Sequence, residues 1–294
     1  MQTSHWLVVG TFFYVLLFMI AVFAIGLWSR RGRRERAPVE FKLLRGPGES
    51  LKRKLTAFDE NLVIYVSLSA LAPIFPAFAA LYVISKVAPK TSVHLGLGIV
   101  GIVFLICAII SGRWLWSRLL VYRNHKLGYL GERTVAEALM PLLRQGYQIF
   151  HDLPASAGDR KFNIDHVVVG PTGVFIVETK TRRKGRARPG YKDHEVTFDG
   201  QQLIWPWAED RHGLVQAENE ARWLSEWLNK VTGFDINAKP MLALPGWYVK
   251  ATARGTVNVV NAKGLCSAIK GRGQVVLNDE KIEIIRRQLD ERCR

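Results

Sequence analysis

The chain has 294 residues, a formal net charge of +16 at pH 7 and a pI near 10.0. That length allows one or two domains, and so basic a chain calls for an anionic partner, nucleic acid or a lipid headgroup surface. Its three cysteines, Cys107, Cys266 and Cys293, form no CxxC pair or Cys/His cluster, which argues against structural zinc and leaves ordinary thiols.

Three windows early in the chain read as transmembrane helices. Residues 6–28 and 62–85 hold no Asp, Glu, Lys, Arg or His, and residues 92–112 hold only His94. Each is close to the ~20 residues that a bilayer helix needs. Trp6 and Trp28 stand at the ends of the first, where aromatic anchors belong. A signal peptide fits that window poorly: no Lys or Arg precedes it and no small-residue cleavage site follows. Pro73 and Pro76 interrupt the second window, which bilayer helices tolerate. Residues 29–60 carry ten Lys and Arg, whereas the loop 86–91 carries two. The positive segments stay inside. The expectation is a multi-pass protein of the cell's inner (plasma) membrane, N-terminus outside and everything after residue 112 cytoplasmic. No predicted span carries Asp, Glu, Lys or Arg, so no transport feature is legible.

After the membrane region 1–112 and a basic linker at 113–123, residues 124–294 read as a mixed α/β domain. Residues 113–294 hold 29 Lys and Arg against 20 Asp and Glu, so the soluble part is basic in its own right. Apolar spacing predicts a helix over 131–143, a short strand over 148–152 and a hairpin of strands 162–169 and 174–181. A second hairpin, 195–198 with 202–205, turns at Asp199-Gly200. Leu214, Ala217, Ala221, Leu224, Leu228 and Val231 form one stripe of a helix over 214–231. Strands near 239–244 and 256–260, a short helix near 265–270 and a last helix near 279–291 complete the domain.

The first hairpin, FNIDHVVVGPTGVFIVETK, places an acid in each of two otherwise apolar runs. Side chains alternate along a strand, so Glu178 and Lys180 share a face with Val174 and Ile176, and Asp165 shares one with Val167 and Val169. With a loop at 170–173, Asp165 falls opposite Glu178. Two opposed carboxylates repel, and burying them unpaired is costly. A hard cation such as Mg²⁺ between them removes that cost, and Lys180 can hold a water or a phosphate oxygen. Solvated surface acids are the alternative, disfavoured by runs that are apolar on both faces. Glu132 lies on the core side of its helix, three residues before Val135; placement in a helix's first turn is its plainer explanation. His166 points away from Asp165, and both His151 and His166 read as structural.

Gly131-Glu132, Asn163-Ile164-Asp165-His166, Gly170-Pro171-Thr172-Gly173 and Glu178-Thr179-Lys180 together resemble the nuclease-related domain (NERD) family of the PD-(D/E)xK nuclease superfamily. The resemblance covers roughly residues 124–245. It implies a restriction-endonuclease-like mixed sheet flanked by helices. It also implies Glu132, Asp165 and Glu178 around one or two Mg²⁺ ions (Mn²⁺ as a substitute) and Lys180 at the attacking water. Gln216 matches the family's helix glutamine, binding a phosphate or orienting that water; a solvated Gln is the plain alternative. Ile164 stands where the superfamily has proline.

Lys180 opens a run that continues with Arg182, Arg183, Lys184, Arg186, Arg188 and Lys192, interleaved with Gly185 and Gly190. Beside a metal site such a loop can neutralise phosphates without reading sequence. A lipid-binding or simply solvated loop is the other reading. Trp205, Trp207, Trp223 and Trp227 read as packing residues ahead of base-stacking platforms. The expected function is a membrane-anchored, Mg²⁺-dependent nuclease with nucleic acid (DNA ahead of RNA) and the bilayer as partners. The alternatives are a non-catalytic nucleic-acid-binding module of the same fold, or a basic membrane-surface interaction protein.

Overall fold

The computed structural model describes residues 44–87, 93–271 and 273–293, together with Tyr14, Leu17, Phe18, Ile20, Ala21 and Ala24. The expected span 6–28 therefore lies outside the described residues, apart from those six. The chain divides into two compact units: residues 1–40 with 55–124, and residues 41–54 with 125–294.

In the first unit the described residues are helical. Helix α1 covers Glu49–Leu71, α2 Ile74–Val87 and α3 Val93–Leu139. The expected second span is thus two helices. The chain turns at Ala72-Pro73 because proline has no amide to continue the α1 ladder, while Pro76 sits in the first turn of α2, where that amide is not needed. Two long apolar helical stretches, Glu49–Val87 and Val93–Gln145, could cross a membrane by length and composition; they take up the expected windows 62–85 and 92–112 among the described residues. Val63, Tyr82, Val83, Leu95, Ile102, Leu105 and Ile110 are exposed along them. Phe58, Tyr65, Tyr122 and Trp114 form a chain of ring contacts, with centroids 4.6–5.6 Å apart. Residues 113–123, expected as a linker, are helical throughout within α3.

The second unit is built on a five-stranded mixed sheet, ordered β1-β2-β3-β7-β9. Its strands are β1 (Gln148–Ala157), β2 (Arg160–Gly170), β3 (Gly173–Thr179), β7 (Lys239–Ala243) and β9 (Asn258–Val260). β1, β2 and β3 are antiparallel neighbours, and β7 and β9 continue in parallel with β3. The β2–β3 register is the expected one, Val169 opposite Val174 and Val167 opposite Ile176. A smaller sheet, β6-β5-β4-β8, comprises β4 (Glu195–Phe198), β5 (Leu203–Ile204), β6 (Glu209–Asp210) and β8 (Tyr248–Ala251). The β4–β5 turn is held by Asp199, whose Oδ1 accepts from the amides of Gln201 and Gln202.

Alternation along β2 and β3 separates two cores. Val167, Val169, Val174 and Ile176 pack with α4 (His212–Thr232), α6 (Asp279–Cys293) and the small sheet. Val168, Phe175 and Val177 pack with the C-terminal end of α3, Leu142, Tyr147 and α5 (Leu265–Lys270). Every residue of β3 is buried, as its apolar runs on both faces require. Trp205 is fully buried, and Trp223 stacks on Trp227 with Arg292 over both rings. The tryptophans therefore serve packing.

Candidate active site

The site forms where β2 and β3 part. Their pairing ends at His166 and Val177; beyond it β2 continues with β1 while β3 continues with β7. Asp165 and Glu178 are the next residues on each strand. Instead of a ladder bond, Asp165 Oδ2 accepts the Thr179 amide at 2.9 Å. The Lys180 amide is taken by the Ala243 carbonyl at 2.9 Å, which steers the chain past the strand end. As expected from a period of two, Lys180 and Glu178 meet: Nζ stands 3.7 Å from Glu178 Oε1. Lys180 Nζ also donates to Gln216 Oε1 at 3.3 Å, so the helix glutamine reaches the site edge.

Glu132 arrives from α3, on the other face of the sheet. Gly131 makes the approach possible, since a Cβ there would lie 1.9 Å from Thr181 Oγ1. Glu132 is buried and accepts the Gly48 amide. Gly48 has φ +68°, and a Cβ there would meet the Tyr129 ring at 2.7 Å. Both glycines are thus required by close backbone approach.

Sequence reasoning missed two acids. Glu220, one turn beyond Gln216 on α4, is 3% exposed and accepts from Gln216 Nε2 at 3.0 Å. Its signal was available: it lies three residues after Ala217 and four before Leu224, on the core stripe, the same criterion that selects Glu132. Asp152, on β1, is buried with φ +49°, a conformation that Asp tolerates better than most residues. It accepts from Arg45 Nη1, the Ser50 amide and Asn163 Nδ2 at 3.0–3.2 Å. No periodicity marks it, because Arg45 and Ser50, two of its three partners, are about a hundred residues away.

Crowding and burial act together on the carboxyls. Burial pushes Glu132 up to about 9, with Asp165 and Asp152 adding to the effect. Burial raises Asp165 to about 7 against the Thr179 amide and Lys180. Glu220 rises to about 8, through burial and then Asp165. Glu178 is held well above the ordinary range by burial, then by Asp165 and Glu220. His151 falls to about 4 and His166 well below its usual value, both through burial. Their Nδ1 atoms lie 2.8 Å apart, a neutral pair sharing one hydrogen bond.

Three carboxylate oxygens, Glu132 Oε2, Glu178 Oε2 and Glu220 Oε2, are buried without a partner, as is Thr181 Oγ1. Unsatisfied buried acceptors are costly, and hard oxygen donors that crowd one another suit a hard divalent cation. Among the described residues no three His, Cys, Asp or Glu side chains gather closely enough to hold an ion as a set. The fit is therefore to an ion held by one or two of these carboxylates, with water and substrate oxygens completing the shell.

The basic run after Lys180 is partly tied down. Arg182 pairs with Asp210 and lies 5.0 Å over the Trp205 ring. Arg188 donates to the Trp205 and Pro206 carbonyls and covers Tyr191. Lys184 lies 5.7 Å over Trp247, and Lys192 pairs with Glu195 at 3.4 Å. Arg183, Lys184 and Arg186 are exposed.

A mixed sheet between helices, with an Asp, a Glu-x-Lys and a helix Gln converging where two strands separate, defines an α/β protein whose candidate site lies at that parting. Residues 127–245 match the family model described as the nuclease-related domain, NERD. That segment contains Glu132, Asp165, Glu178, Lys180, Gln216 and Glu220, so the whole candidate site lies within the match. No curated protein and no solved structure matches the chain.

Proposed function

We propose that this protein is a membrane-anchored nuclease that hydrolyses nucleic-acid phosphodiester bonds, DNA ahead of RNA, on the cytoplasmic face. Mg²⁺, or Mn²⁺ in its place, is its metal. The observation that carries this reading is the pairing of Lys180 with Glu178 and Gln216 beside buried carboxylate oxygens that have no partner.

Asp165 and Glu178 are the residues to hold the metal, with Glu132 close enough to act on Asp165 from the opposite side. When bound, it supplies charge neutralisation at the phosphate and a more acidic water. Lys180 Nζ offers a mobile donor to the attacking water or to a phosphate oxygen, and Gln216 limits where that donor points. Arg183, Lys184 and Arg186 are exposed on the loop that follows Lys180, where they would meet backbone phosphates; Arg182, Arg188 and Lys192 also hold the loop's shape. Two long apolar helices support anchoring, and the Lys/Arg bias around them supports the cytoplasmic assignment.

A second reading, a nucleic-acid-binding module that does not cut, draws on the absence of a three-acid cluster at ligating distance among the described residues. One experiment separates the two. Full-length protein in detergent is incubated with linear DNA, circular DNA and single-stranded RNA, with Mg²⁺ or EDTA, beside a Lys180→Ala variant. Cleavage lost with both EDTA and Lys180→Ala is the expected result. Salt-sensitive binding without cleavage of any substrate supports the binding module, and cleavage that survives Lys180→Ala removes the site from consideration.

A further inference from the structure

Gln216 and Glu220 stand one turn apart on α4 and face the same strand end. The contacts form a line: Glu220 Oε1 accepts from Gln216 Nε2 at 3.0 Å, Gln216 Oε1 accepts from Lys180 Nζ at 3.3 Å, and Nζ lies 3.7 Å from Glu178 Oε1. A primary amide has one donor end and one acceptor end. Turned over, Gln216 would set its NH₂ against an ammonium and its carbonyl against a carboxyl. With its NH₂ held by Glu220, Gln216 leaves its carbonyl end for Lys180.

Packing gives no reason for an acid at this position. The neighbours of Glu220 on the inner face of α4, Ala217, Ala221 and Leu224, are apolar and buried. An apolar side chain of similar size would fill the space without setting a second buried carboxyl against that of Glu178. We propose that Glu220 is a positioning residue of the site: by holding the Gln216 amide it keeps the Lys180 ammonium against the acids at the strand ends. The inference rests on Lys180 as the group that meets water or phosphate. Lysine is a point charge on a flexible four-carbon stem, so its position must be imposed from outside.

The test needs no activity. Full-length protein in detergent is trace-labelled with acetic anhydride, and the rate at each lysine is read by mass spectrometry. The exposed Lys230, Lys250 and Lys263 serve as internal references. Glu220→Leu and Gln216→Leu should each speed labelling of Lys180 by on the order of tenfold, the effect of losing one charge-assisted hydrogen bond. The double variant should add little, since both act through one chain of contacts. Glu220→Gln, whose carbonyl can still accept from Gln216, should stay within about twofold of wild type, having kept the bond. Glu220→Asp keeps the carboxyl, shortens the reach and is run in parallel in case Glu220→Leu does not fold. The decisive variant is whichever keeps the reference lysines at their wild-type rates. A rise confined to Lys180 there supports the proposal; an unchanged Lys180 rate, or a uniform rise at all lysines in both variants, overturns it. Absence of cleavage by the wild-type protein would sink the nuclease reading separately and leave this test intact.

Discussion

Glu132, Glu178 and Glu220 are kept as acids where an acid is expensive, and pH exposes that cost. An ordinary Glu titrates near 4.5, but burial beside other carboxyls raises Glu132 to about 9 and Glu220 to about 8 in the fold. Between those values the unfolded chain ionises while the folded one retains its protons. The contribution to stability is complete below about pH 4.5 and is lost as pH rises through the folded values. Thermal melts in EDTA should therefore fall steadily from pH 5 to 9. Added Mg²⁺ should restore stability, and more so at the higher pH, because it favours the ionised carboxyls; a Mg²⁺ shift of equal size at every pH would contradict the assignment. Glu178→Gln should raise metal-free stability by roughly 0.5–2 kcal/mol, read from denaturant midpoints, while abolishing cleavage, the usual trade at a functional acid. Glu178 and Lys180 were legible in the sequence because alternation along one strand brings them together. Glu220 could be read from the stripe of its own helix. Asp152 could not, since only distant partners account for its burial.

At the scale of elements, the segment before α1 belongs to the site. Residues 41–54 cluster with 125–294, although the first apolar helix follows directly. The Arg45 amide donates to the Cys293 carbonyl, and its guanidinium donates to Asp152. Asp152 takes the Ser50 amide in the first turn of α1, where helix amides lack internal partners. Gly48, between them, supplies the amide held by Glu132. Arg45→Ala should cost about 2 kcal/mol, the worth of a hydrogen bond to a charged group, measured by denaturant unfolding followed at the tryptophans. It should also weaken Mg²⁺ binding, because the Glu132 partner shifts with the segment; unchanged Mg²⁺ affinity would separate the segment from the site. From the sequence, residues 29–60 are only a basic stretch that sets orientation. The hairpins were more legible: alternation specified the β2–β3 register, and Asp199 marked the β4–β5 turn. β8 escaped notice because Tyr248 and the three residues after it show no alternation, one side of that strand being open.

For the whole molecule, two long apolar stretches carry exposed Val, Leu, Ile and Tyr that water would not favour. The chain should sediment with membranes, resist alkaline carbonate and dissolve only with detergent. In sealed vesicles, protease should digest residues 125–294 when the cytoplasmic face is outward and spare them in the opposite orientation. Release by carbonate would make the apolar helices soluble packing elements, and digestion in the wrong vesicles would reverse the orientation.

The sequence by itself determined the apolar windows, most of the strands and helices of the second unit, the β2–β3 register and the meeting of Glu178 with Lys180. All of these follow from local periodicity, two residues for a strand and 3.6 for a helix. The tertiary structure alone decided that Gly48 and Arg45 reach Glu132 and Asp152, and that Arg182 and Arg188 of the basic loop are spent on Trp205, Tyr191 and Asp210. The first of these depends on which surfaces meet across about a hundred residues of chain and the second on how the loop folds back onto the small sheet, and no strand or helix period encodes either.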